Sequence, residues 1–191
     1  TGGGIDTNTF HTWNSTGSAQ PRYVAVKVIR AIDRYREAAK TELRLLQAIY
    51  ENDPHGQYQC LILQECFDYK NHICIVTDLL GRSVYDFTCS NGVARFPGSH
   101  VQAMAKQLIR SVCFLHDLGI IHTDLKPENV LLCDESSMEK SLPLSVVRSM
   151  SARRKEASGG KRKFLTNPEI KIIDFGSAVF HNEYHPPVIS T

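Results

Sequence analysis

The sequence predicts an α+β fold in which a small β-rich lobe holding one helix precedes a mainly helical lobe. Three observations carry this. Apolar residues alternate with period two in short runs before residue 80. Among those runs, Ile32 to Tyr50 places apolar residues three and four apart, the spacing of one helix face. Beyond Gly81 the period becomes helical and stays so to Gly119.

Residues 1–20 are rich in Gly, Ser, Thr and Asn without periodicity and read as loop or disorder. "RYVAVKVI" is a strand, with Lys27 among its apolar residues. The helix that follows places Tyr35, Ala38, Ala39, Glu42, Leu46 and Ile49 on one stripe. After the loop "ENDPHGQ", the runs "CLILQECFDY" and "ICIVTDLL" are strands joined around "KNH" as a hairpin. "SVYDFTCSN" is a short helix, and "PGSHVQAMAKQLIRSVCFLHDLG" a long one opened by Pro97 and closed near Gly119. The irregular segment "IIHTDLKPENVLL" comes next. Residues 134–168 then lose periodicity and read as an insertion before "EIKIIDFGSAVF", a strand and turn. The expected boundaries are 21–80 for the first lobe and 81–191 for the second.

Composition narrows the class. The 191 residues are 42% apolar and 22% charged with a net charge of +2, an ordinary globular balance that gives no sign of direct nucleic-acid binding. No apolar run reaches the ~18 residues of a membrane span, and "TGGGIDTNTF" lacks the features of a signal peptide, so no membrane partner and a nuclear or cytoplasmic location are expected. Cys60, Cys66, Cys74, Cys89, Cys113 and Cys133 contain no C-x-x-C pair and lie mostly in apolar stretches, as buried reduced thiols would. The histidines show no metal-ligand spacing, and Asn14-Ser15-Thr16 is an incidental sequon. Charge is uneven in one place only. Arg148 to Lys163 holds seven Lys or Arg against one Glu, a local net charge of +6. Two readings of it stand: a flexible solvated loop, or a patch for nuclear import or an acidic partner.

The chemistry-bearing residues fall in order along the chain. A lysine in an apolar strand and a glutamate on the inward stripe of the next helix suit an ion pair, so Lys27 and Glu42 either pair or reach water separately. "VAVK" differs by one apolar exchange from the V-A-I-K signature, whose lysine clamps nucleotide phosphates. "HTDLKPEN" matches H-R-D-L-x-x-x-N except that Thr123 replaces Arg. In that pattern Asp124 can accept a proton from an attacking hydroxyl, Lys126 can neutralise charge on a transferred phosphoryl group, and Asn129 offers an oxygen to Mg²⁺. "DFG" at Asp174 to Gly176 adds a second metal ligand, Asp174.

From Pro21 to Thr191 the chain resembles the eukaryotic protein kinases, and within them the LAMMER-type, or CDC-like, dual-specificity branch. The branch resemblance rests on "HTDLKPEN" with Thr123, "RYREAAKTEL", "CFDYKNHICIV", "LLGRSVYDF", "FLHD", "IIDFGSAVF" and "EYHPPVIST". It implies a partial bilobal protein-kinase fold, ATP and Mg²⁺ as cofactors, and a monomer acting on Arg-Ser-rich nuclear proteins such as splicing factors. It further implies Thr77 as gatekeeper, backbone groups of Asp78 and Leu80 as adenine partners, and autophosphorylation on Tyr as well as Ser and Thr. Two departures stand out. Where a G-x-G-x-x-G loop belongs, the chain reads "GGGIDTNTFHTW": Gly4 can take the first position, but Asp6 and Thr9 occupy the others. The A-P-E and LAMMER sequences are also absent, so an incomplete second lobe is expected. A catalytically inactive product that binds nucleotide or a partner is the alternative function.

Overall fold

The computed structural model describes residues 22–92, 95–152, 155–156 and 159–183, and residues 7–12 through their backbone. The described chain divides into two compact units, one of residues 1–79, 111–124 and 173–191, the other of residues 80–110 and 125–172.

The first unit is built on a four-stranded antiparallel sheet of order β1-β2-β4-β3, where β1 is Thr7–Thr12, β2 Arg22–Val28, β3 Leu63–Tyr69 and β4 His72–Asp78. β1 corrects the loop expected for residues 7–12. Its polar sequence shows no alternation, yet its backbone pairs with β2 from Thr7↔Lys27 to Thr12↔Arg22. Gly4 and Asp6, the sequence's substitutes for a glycine loop, lie outside the described residues. β2 alternates as expected, with Val24 and Val26 buried against Cys74 and Val76. Lys70 and Asn71 join β3 to β4 with φ of 47° and 69°, the doubly left-handed geometry of a tight hairpin turn. Asp68 Oδ1 accepts the Asn71 N–H at 3.0 Å and closes that turn.

Helix α1, Asp33–Asn52, buries Ala39, Glu42, Leu45, Leu46 and Ile49. Tyr35 and Ala38, assigned to the same stripe from sequence, are exposed. Both lie in the first two turns, N-terminal to the buried stretch of the helix. The unit also holds the last turns of α3 (Gly98–Asp117), which end at Gly119 with φ +70°. Short strands β5 (Ile120–Ile121) and β10 (Val179–Phe180) pair antiparallel there.

The second unit packs α2 (Val84–Ser90) and the first part of α3 around Phe87, Met104, Val130, Leu132, Leu165 and Ile170. Ser83 caps α2, accepting the Asp86 N–H at 2.9 Å and donating to its carboxylate at 2.6 Å. β6 (Val130–Leu132) pairs with β9 (Ile170–Ile172), and the Gln107 side chain donates to Pro168 O and accepts from Ile170 N. Between these strands the insertion expected at residues 134–168 contains β7 (Ser137–Ser141), α4 (Leu144–Ser149) and β8 (Lys161–Leu165). β7 and β8 pair in register from Ser137↔Leu165 to Ser141↔Lys161. Leu165 is buried and anchors the hairpin, whereas all of β7 is exposed, so its sequence carries no burial signal. Arg153 and Arg154 lie outside the described residues.

All six cysteines are free thiols. Only Cys60 and Cys74 are buried; Cys66, Cys89 and Cys113 are exposed, against expectation. Burial and then the nearby Asp68 carboxylate push the Cys74 thiol pKa up.

Candidate active site

Lys27 and Glu42 meet because of two periodicities. In β2 the buried Val24 and Val26 turn to one face, so Ala25 and Lys27 turn to the other. Opposite residues of an antiparallel ladder share a face, and the register Ala25↔Thr77 and Lys27↔Ile75 sets Thr77 on the same side as Lys27. Glu42 lies on the inward stripe of α1, its side chain only 9% exposed. The Lys27 ammonium, 31% exposed and therefore not buried, donates to both Glu42 oxygens at 2.8 and 2.9 Å. Of the two readings left by the sequence the pair forms and Glu42 does not reach water separately, although the Lys27 side chain stays partly exposed.

Asp174 joins them, with Oδ1 at 4.0 Å from Lys27 Nζ. Its backbone is left-handed at φ 64°, and the Gly176 N–H points to its Oδ1 at 3.4 Å. A Cβ at Gly176 would stand 3.3 Å from Asp174 Oδ1 and 3.7 Å from Glu42 Oε2, so a side chain there would press on the Asp174 carboxylate and only touch that of Glu42.

Asp124 belongs to the same unit, on a loop anchored by its two predecessors. His122 is 3% exposed; its Nε2 bonds the Ile173 carbonyl at 3.0 Å and its ring packs on Phe175 at 5.2 Å. The Asp124 N–H points to His122 Nδ1 at 3.3 Å, so a ring protonated on Nε2 serves both contacts. Thr123 donates its hydroxyl to the Ser177 carbonyl at 2.9 Å. Sequence reasoning missed both anchors. The histidine was visible in the motif, but the acceptors are backbone carbonyls and leave no mark on residue type.

Asp78 ends β4 opposite Val24, and its carboxylate accepts from the Gln64 amide. Thr77 is buried at 8% exposure. The remaining sequence-predicted residues belong to the second unit. Leu80 opens it, Lys126 is exposed, and Asn129 is 6% exposed at the end of a 3-10 turn, Pro127–Asn129.

The donor set suits Mg²⁺. Among the described residues no group of three or more His, Cys, Asp or Glu could cage a metal. Mg²⁺ instead takes one or two hard protein oxygens and completes its shell with water and substrate phosphates. In the first unit the half-exposed Asp174 carboxylate is a donor of that kind, and the Lys27 ammonium beside it adds positive charge for a phosphate; the second unit by itself offers the Asn129 amide oxygen.

A β2 lysine held by a helix glutamate, an aspartate loop tied to an Asp-Phe-Gly turn, and an α+β architecture together define a protein kinase domain. The sequence profile of the protein kinase domain family matches residues 13–189, and the chain belongs to that family. It is 78% identical over 172 residues to the dual specificity protein kinase KNS1 of Saccharomyces cerevisiae, covering 90% of this chain and 23% of that protein. The dual specificity protein kinases lkh1 of Schizosaccharomyces pombe and CLK1 of Homo sapiens are 49% and 41% identical, each over 89% of this chain. Those alignments cover 23% and 32% of the two relatives, so the chain spans less than a third of each of these three kinases. In three dimensions it is similar to a crystal structure of a kinase domain, with TM-score 0.78 and 27% identity, over all of this chain and 53% of that one.

Proposed function

We propose that the protein is an ATP- and Mg²⁺-dependent kinase that phosphorylates Ser and Thr, and also Tyr, on Arg-Ser-rich nuclear proteins such as splicing factors. The observation that supports this most is the Lys27–Glu42 pair with Asp174 beside it, because it holds a cation ready for phosphates next to a half-exposed carboxylate of the kind that binds a metal. Names of the relatives, dual specificity protein kinases, support the reaction class.

The chemistry follows from charge and position. Bound Mg²⁺ supplies electrostatic stabilisation of the phosphate oxygens. Lys27 orients the phosphates while Glu42 keeps its ammonium from turning to solvent. Asp174 and Asn129 are the residues that would hold the metal. Asp124 orients the acceptor hydroxyl and takes its proton, and Lys126 offsets negative charge on the transferred group. Backbone groups of Asp78 and Leu80 bond the adenine, with Thr77 controlling access beside it. In this reading the protein acts as a monomer on protein substrates, in the nucleus or cytoplasm.

The test is phosphorylation of an Arg-Ser peptide and of its Lys-Ser counterpart by the full-length protein, with and without Mg²⁺. Metal-dependent transfer that prefers the Arg-Ser peptide is expected. Transfer that ignores the arginine would remove the substrate class, and nucleotide binding without any transfer would favour the inactive alternative.

A further inference from the structure

Thr123 adopts φ 68°, a left-handed backbone that β-branched residues strongly avoid. Glycine or asparagine would sit there with far less strain. Packing does not impose the conformation, since Thr123 is exposed. Its one described side-chain contact is the 2.9 Å hydrogen bond to Ser177 O, across 54 residues of chain. The neighbouring His122 bonds Ile173 O at 3.0 Å. Consecutive side chains therefore hold the carbonyls immediately before and after the triplet Asp174-Phe175-Gly176. Asp174 is itself left-handed at φ 64°. Strain of this kind persists where surrounding contacts over-determine it, and it gathers at functional sites.

We infer that Thr123 is a positioning residue: its hydroxyl latches the loop of Asp124 to the far side of the Asp-Phe-Gly turn, fixing Asp124 relative to Asp174. The inference rests on the reading of Asp124 as the base. The hydroxyl's partner is a main-chain atom and survives any substitution at position 177 other than one that moves the backbone.

Three substitutions in the full-length protein separate hydroxyl, branching and backbone. Thr123→Val keeps shape and strain but loses the donor; Thr123→Ser keeps the donor; Thr123→Gly removes both strain and donor. For Thr123→Val, kcat is expected to fall about 10-fold or more while KM for ATP stays within about 2-fold, the pattern of a misplaced reacting group. Thr123→Ser should recover kcat to within about 3-fold of the parent. Thr123→Gly should show the low kcat of the valine variant, with a thermal midpoint no lower than that variant's. Normal kcat in Thr123→Val, or equal impairment in Thr123→Ser, overturns the latch. Asp124→Asn, assayed in parallel, separates the two failures. If it is inactive while Thr123→Val is normal, only the latch falls; if it turns over normally, the reading of Asp124 falls and the latch with it.

Discussion

Glu42→Gln is the substitution whose effect can be worked most directly from geometry. The glutamine keeps the size of the side chain and one acceptor oxygen but removes the charge that both Lys27 hydrogen bonds share. Breaking a fully buried ion pair costs ~3–5 kcal/mol, and breaking an exposed one ~0–1 kcal/mol. Here Glu42 is 9% and Lys27 31% exposed, so the ammonium can rehydrate once freed. The expected loss is about 1–2 kcal/mol, between the two limits. Urea unfolding followed by circular dichroism reads it, with Lys27→Met and the double variant completing a thermodynamic cycle. A coupling energy of about 1–2 kcal/mol is expected, together with weaker ATP binding in each single variant. Coupling below about 0.3 kcal/mol would show that the two groups do not sense each other, because additivity at that level is what independent sites give.

Other consequences are simpler to state. Leu132 is 0% exposed in the core of the second unit, so Leu132→Ala should cost ~2–5 kcal/mol by urea unfolding, and a loss below ~1 kcal/mol would contradict its place there. Ser83→Ala removes the cap of α2 and should cost ~1 kcal/mol, measurable in the same way, whereas no change would mean that water replaces the cap. The backbone N–H and then the hydroxyl of Ser136 hold the Asp134 pKa below its ordinary 3.8. A lowered folded-state pKa gives stability that is present above the ordinary value and lost as the pH falls through the folded value. The difference in urea midpoint between the protein and Asp134→Asn should therefore shrink as the pH drops below 3.8, and a constant difference would count against it.

What the sequence disclosed follows physical rules. Alternation in "VAVK" is legible because β2 buries Val24 and Val26 on one face, and the stripe of α1 is legible where the helix buries Glu42, Leu46 and Ile49. The motif residues were visible because transfer chemistry demands particular side chains in order, and Lys27, Glu42 and Asp174 do come together. Strands of polar sequence were illegible. β1 is polar, and β7, "SMEKS", is exposed along its length, its partner β8 lying beyond a helix and a run of glycines. Tyr35 was misassigned because residue type cannot show which turn of a helix reaches a neighbour; it is 37% exposed. The anchors of Asp124 escaped for a different reason. Residue identity carries no record of which backbone carbonyl a side chain will find.

The claim on which the rest depends is that Asp124 takes part in transfer and not in nucleotide binding, and one paired measurement addresses it. The full-length protein and its Asp124→Asn variant are compared for single-turnover phosphorylation of an Arg-Ser peptide and, in the same preparations, for ATP affinity in Mg²⁺. The expected result is a transfer rate lower by ~10²-fold or more with affinity unchanged, as when one preorganised catalytic group is removed. Near-normal transfer by the variant, or a loss of ATP affinity equal to the loss of rate, would contradict it.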